Sequence, residues 1–149
     1  MNTTDVDLNW VAAITRNCTD ALMCKRLDGT ILYWNNGAER LFGYTAGEMT
    51  SGDARVLVPD DRQVEYEALQ RLLQNGQATE AFDTVRVTKD GRRIDVSLTM
   101  APVFDERDRI VGYTTIERDI SERKRLEREA RGLAEKLETL VTERTAELQ

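Results

Sequence analysis

Arg109-Ile110-Val111-Gly112-Tyr113-Thr114-Thr115-Ile116-Glu117-Arg118-Asp119-Ile120-Ser121-Glu122-Arg123-Lys124 carries two structural signals with no break between them. Ile110, Val111, Tyr113, Thr114, Thr115 and Ile116 give Arg109 to Arg118 the β-branched and aromatic character of a strand. Asp119-Ile120-Ser121 follows without a Gly or Pro. From Glu122 to Gln149 there is no Pro and a single Gly, and apolar residues recur in heptads. Leu126, Leu133 and Leu140 share one core position; Ala130 and Leu137 share the other. A strand feeding directly into a stiff helical rod is the layout of a sensor, whose product is a conformational change.

Working outward, the segments before this junction read as alternating strands and helices. Asp5 to Arg16, with Leu8, Val11, Ala12 and Ile14, has the spacing of a short amphipathic helix. Ala21 to Leu27 and Thr30 to Trp34 are apolar runs joined by Asp28-Gly29, a strong hairpin signal. Asn35 and Asn36 favour a turn or an N-cap before a helix over Ala38 to Phe42, which Gly43 ends. Thr45 with Glu48 resembles a capping box. Pro59-Asp60-Asp61 opens a helix with Val64, Ala68, Leu69, Leu72 and Leu73 on its apolar stripe, stopping at Asn75-Gly76. Ala81 to Thr88 and Arg92 to Phe104 are strands about Asp90-Gly91. In the second, Ile94, Val96, Leu98 and Met100 face one side, and Asp95, Ser97 and Thr99 the other. The order β-β-α-α-α-β-β-β-α predicts an α+β fold: one antiparallel sheet with helices on one face. It divides into an N-terminal cap over 1–17, a core over 18–121 and a helix over 122–149.

Composition narrows the function. The 149 residues suffice for one domain plus the rod, and a 40% hydrophobic, 32% charged chain is expected to be globular. A net charge of −6 argues against a nucleic-acid footprint. The basic residues Arg123, Lys124, Arg125, Arg128 and Arg131 alternate with acidic ones, so Glu122 to Gln149 is neutral, with seven of each sign. That is the flank of a coiled coil rather than a membrane or DNA surface. Met1 to Asp7 lacks the features of a signal peptide and no apolar run is long enough to span a bilayer, which predicts a cytoplasmic location. Cys18 and Cys24 form no CxxC pair and are expected as buried thiols. The chain has no histidine, which excludes His-dependent triads and His-ligated zinc or haem.

Four stretches in this order resemble the PAS domain family: Asp28-Gly29-Thr30-Ile31-Leu32-Tyr33-Trp34-Asn35-Asn36, Ala38-Glu39-Arg40-Leu41-Phe42-Gly43-Tyr44, Lys89-Asp90-Gly91, and Arg118-Asp119-Ile120-Ser121-Glu122-Arg123-Lys124. The resemblance implies a five-stranded antiparallel sheet over a pocket, usually in a homodimer. It also implies a regulatory role, with Asp119 tying the last strand to the outgoing helix through Arg118 or Arg123. Asp119 could equally be a helix cap. Arg118, Asp119, Ile120 and Ser121 are then the signal-transmission residues. The tail from Leu137 to Leu148 looks like linkers that precede the dimerisation helix of sensor histidine kinases; similar ones feed diguanylate cyclases. The fragment itself has no catalytic motif, so the expected partners are a second copy, through the coiled coil and N-terminal helix, and an output domain in cis. The rod's end at Gln149, without a Pro or Gly stop, is expected to mark a truncated chain.

Cofactors can be tested by residue. Haem-binding members generally offer a His, absent here. Light-oxygen-voltage members place a reactive Cys in a Gly-x-Asn-Cys-Arg-Phe-Leu-Gln motif; the matching Gly52-Asp53-Ala54-Arg55-Val56-Leu57-Val58 has none. A flavin held without a Cys stays open, beside no cofactor at all. Candidate lining residues are Met23, Trp34, Phe42, Leu57, Phe82, Val96, Leu98, Met100 and Glu117. The simpler reading is that the apolar ones fill the core. Glu117 differs. Relatives imply that its position faces the pocket, where it could recognise a cationic or hydrogen-bonding ligand; the alternative places it at the pocket mouth, paired with Arg86 or another basic residue. The alternation leaves either Glu117 or Ile116 facing in. The sequence therefore leaves a ligand or redox sensor, a constitutive dimerisation adaptor with a packed core, and a flavin enzyme or sensor as competing readings.

Overall fold

The structure is a computed structural model describing residues 8–148. The segment 5–7 of the predicted first helix, the rest of the N-terminal cap before it, and Gln149 lie outside the described residues. The chain divides into two compact units, one ending at Asp119 and one starting at Ile120.

The first unit is built on a five-stranded antiparallel sheet. β1 (Ala21–Arg26), β2 (Ile31–Trp34), β3 (Phe82–Val87), β4 (Arg93–Phe104) and β5 (Ile110–Asp119) stand in the order β2-β1-β5-β4-β3. The first and last strands in sequence are thus central neighbours. The hairpins form where Asp-Gly pairs foretell them, because Gly29 and Gly91 adopt φ of +90° and +83°, which a Cβ disfavours. Between the two hairpins run α2 (Asn36–Phe42), α3 (Ala46–Met49), 3-10 turns over Ala54–Leu57 and Asp60–Arg62, and α4 (Gln63–Gln74). Asn35 caps α2 by accepting from the Ala38 amide, and Thr45 caps α3 by accepting from the Glu48 amide.

Burial in β4 alternates as the sequence predicts, with Ile94, Val96, Leu98 and Met100 inward. The apolar stripe of α4 needs correction. Val64 and Leu72 are exposed, and Tyr66, Leu69 and Leu73 form the buried face. Tyr66 belongs inside because its hydroxyl finds a partner there.

Helix α1 (Leu8–Asn17) buries none of its residues. Leu8, Val11, Ala12 and Thr15 line a groove with Leu22, Cys24, Tyr33 and Ile116, which face away from the core. The thiols also depart from expectation: Cys18 and Cys24 are free but only half-buried. Cys24 alternates with the buried Met23 and Lys25 and so faces outward.

The second unit is α5 (Ser121–Glu147). Its charges pair along the helix, with Arg125 bonded to Glu122 and Glu129, and Arg123 to Glu127. No helix among the described residues is long and apolar enough to cross a membrane.

Candidate functional site

The inward face of β5 carries Tyr113, Thr115 and Glu117, while Ile116 and Arg118 point out. Burial settles the ambiguity at Ile116 and Glu117 in favour of the carboxylate, with Glu117 buried and Ile116 exposed. Glu117 stands between Ala21 of β1 and Leu98 of β4, at the middle of the sheet. A charge there needs a counterpart, because an uncompensated buried carboxylate is far costlier than a hydrated one. Arg86 supplies it. Thr84, Arg86 and Thr88 share the inward face of β3 and its extension. Arg86 Nε lies 3.6 Å from Glu117 Oε1, with side-chain exposures of 4% and 1%. The guanidinium also donates from Nη1 to the Val85 carbonyl at 3.0 Å.

A second cation enters from β1. Lys25 is opposite Tyr113, and its ammonium lies 5.6 Å from the centre of the Tyr113 ring. Burial pushes the Lys25 amine down to about 8; the Glu117 charge opposes that shift, and the Arg86 charge adds to it. The Tyr113 hydroxyl accepts a hydrogen bond from Gln70 Nε2 at 2.5 Å and meets the Tyr66 hydroxyl at 3.2 Å. Burial first, then Tyr66, holds the Tyr113 phenol protonated well above its ordinary range. The interior therefore contains two cations, one carboxylate and a tyrosine pair, carried by three strands and α4.

A cleft of about 310 Å³ opens between α2 and the edge of this cluster. Its lining includes Gly37, Arg40, Arg92, Ile94, Glu117 and Asp119. Gly37 lies so close to β1's approach that an added Cβ would stand 2.1 Å from the Asp20 carbonyl oxygen. Two buried polar atoms, Thr115 Oγ1 and Glu117 Oε2, have no hydrogen-bond partner among the described residues. A carboxylate oxygen in this position accepts a proton donor. Among the described residues there is no group of three His, Cys, Asp or Glu side chains that could hold a metal ion.

The predicted pocket residues separate into two packed clusters. Met23, Trp34, Phe42, Leu57 and Val96 join one, where the Trp34 and Phe42 rings are 5.6 Å apart. Leu98 and Met100 join Leu69, Leu73 and Tyr113 in the other, with Phe82 half-buried at its edge. These side chains contact one another, and Glu117 is the candidate that reaches the cleft. The Gly52–Val58 segment forms the turn over Ala54–Leu57 without a thiol, and Cys24 faces away from the core. Of the transmission residues, Asp119 lines the cleft, Arg118 reaches Asp20 at 3.1 Å, and Ser121 opens α5. The seam residues Leu126, Ala130, Leu133, Leu137 and Leu140 are all exposed on α5.

Lys25 and Thr115 were not among the sequence candidates, although the alternation signal was present. Lys25 follows Ala21 and Met23 at intervals of two, and Thr115 precedes Glu117 by two. A lysine in that register reads as an edge or surface residue until its neighbours are known.

Residues 19–122 match the family model described as PAS domain. Over 141 residues the chain is 33% identical to sensor protein TdiS of Thauera aromatica, covering 91% of this chain and 24% of that protein. The chain thus spans about a quarter of the length of that relative. The PAS domain of a Colwellia psychrerythraea protein shares 26% identity at a TM-score of 0.67, covering 77% of this chain and 98% of that one. A light-oxygen-voltage domain from the EL346 blue-light activated histidine kinase of Erythrobacter litoralis shares the fold at a TM-score of 0.63 and 18% identity, covering 70% and 99%.

Proposed function

The chain belongs to the PAS domain family, and from that premise we propose that it is the sensory and dimerisation module of a bacterial signal-transduction protein, the cytoplasmic input part of a sensor histidine kinase. The observation that carries this reading is the seam of α5. Leu126, Leu133, Leu137 and Leu140 each stand more than half exposed on a 27-residue helix. An apolar stripe at heptad spacing, flanked by paired charges, finds its burial in a second helix of the same kind. The similarity to a sensor protein supports the signalling role. α1, with Leu8, Trp10, Val11 and Ile14 exposed, offers a second surface for the partner protomer.

β5 continues through Ile120 into α5 without a loop, so a change on the inward face of β5 acts on the chain that leads to the output domain. The test is the oligomeric state of a Leu133→Asp/Leu137→Asp variant by light scattering, with circular dichroism to show that the first unit still folds. The expected result is a monomer. A variant that stays fully dimeric overturns α5 as the dimer seam.

A second reading, a constitutive dimerisation adaptor, draws on the packing. Phe42, Val96 and Leu98 are completely buried among other side chains, so the apolar interior is filled. The two readings part at the cleft beside Glu117, where an adaptor has no ligand.

A further inference from the structure

The ion pair with Arg86 leaves half of Glu117 unexplained. Oε1 faces Arg86, but Oε2 has no hydrogen-bond partner among the described residues, although the side chain is 1% exposed. The same residue lines the 310 Å³ cleft, which lies in the lower range for small-molecule sites. An ionised carboxylate can only accept, so the group that completes Glu117 is a hydrogen-bond donor, and a charged donor makes the strongest such bond.

The remaining charges select the ligand further. Arg40 and Arg92 line the cleft with Asp119. Arg92 is already held by Asp90 through Nε at 3.0 Å. Arg40 is exposed on α2 and forms no ion pair among the described residues. With Arg92 held by Asp90 and Arg86 facing Glu117, the cleft presents a guanidinium at Arg40 and carboxylates at Glu117 and Asp119, so a simple cation meets Arg40. A simple anion meets Glu117 and Asp119. A molecule bearing both charges satisfies each end.

We propose that this cleft binds a small zwitterion of the α-amino-acid class, its ammonium donating to the Glu117 carboxylate in the cleft wall and its carboxylate paired with Arg40. The proposal rests on the sensory reading above and gives that reading its ligand class. Glu117 lies two residues before the end of β5, so an occupied cleft acts on the strand that becomes α5.

The experiment is thermal unfolding of the full chain with L-lysine, L-glutamine and L-leucine, each against n-butylamine and butyrate as single-charge controls. A ligand that binds only the native state raises Tm by mass action. The expected result is a Tm rise with at least one amino acid and none with either control. Glu117→Gln should weaken that amino acid by about 10-fold or more, the loss of one charge-assisted hydrogen bond. If Glu117→Gln does not fold, Arg40→Glu decides. It lies on the surface, should leave the chain folded by circular dichroism, and should abolish the shift. No shift with any amino acid, an equal shift with a control, or a shift that survives the folded variants overturns the proposal. Light scattering of the same samples separates the two failures: an intact α5-dependent dimer without a Tm shift removes the ligand and leaves the module. Loss of that dimer dependence removes the seam reading.

Discussion

Replacing Arg86 with Leu tests whether the interior pair holds the sheet together. The pair is 3.6 Å long, with both side chains almost fully buried. At an effective dielectric of about 20, that separation corresponds to roughly 4–5 kcal/mol of attraction. Removing only the guanidinium leaves Glu117 buried beside a lysine whose charge is already disfavoured, and the expected loss is about 3–5 kcal/mol. The double variant Arg86→Leu/Glu117→Leu removes both charges. Their opposing influences on Lys25 disappear together, and apolar side chains occupy the same volume. It should recover to within about 2 kcal/mol of the parent, because the pair's desolvation offsets much of its attraction. Urea unfolding followed by fluorescence reads this directly, since Trp34 is buried in the native state. Both variants should keep the parental m-value. An Arg86→Leu variant less than about 1 kcal/mol below the parent, or a double variant as unstable as the single, refutes the account of Glu117 as a charge that requires compensation.

Three further outcomes are expected. Asn35→Ala should cost about 4 kcal/mol in urea unfolding. Its Oδ1 accepts from the Leu22 and Ala38 amides, and its Nδ2 donates to the Thr15 and Asp20 carbonyls, at 2.7–3.0 Å, and each bond contributes roughly 1 kcal/mol. Stability should rise between pH 8 and 9 by about 1 kcal/mol. The folded Lys25 amine titrates near 8, below its ordinary 10.5, so in that window the unfolded chain binds more protons. The raised pKa of Cys24, whose ordinary value is 9.0, already opposes the rise within this window, and that of Tyr113 opposes it above. A Lys25→Met variant that keeps the rise assigns it to another group. Gly112→Ala should cost about 2 kcal/mol or more and reduce amide protection in β1 and β5, because its Cβ would stand 2.3 Å from the Lys25 carbonyl oxygen. Unchanged protection would mean that the two strands can separate slightly at no cost.

The strands and caps were legible because their signals are local. Asp28-Gly29 and Asp90-Gly91 place glycine where φ turns positive, and β4 alternates without interruption. The heptads of α5 are likewise written in residue spacing alone. Where two periods compete, local signals fail. Val64 fits the apolar stripe of α4, yet the buried face turns toward Tyr66, because only the assembled sheet brings Tyr113 within reach of its hydroxyl. Of the charged interior, the family resemblance raises Glu117 and a basic partner such as Arg86, while no local signal brings in Lys25 as their partner. Lys25, Arg86 and Glu117 come from β1, β3 and β5, and nothing in their immediate neighbours marks them as partners. A period of two can place each residue on a face. The strand order β2-β1-β5-β4-β3 and the helices above it decide that this face is dry, and in a dry interior a charge must be compensated by charges distant in sequence.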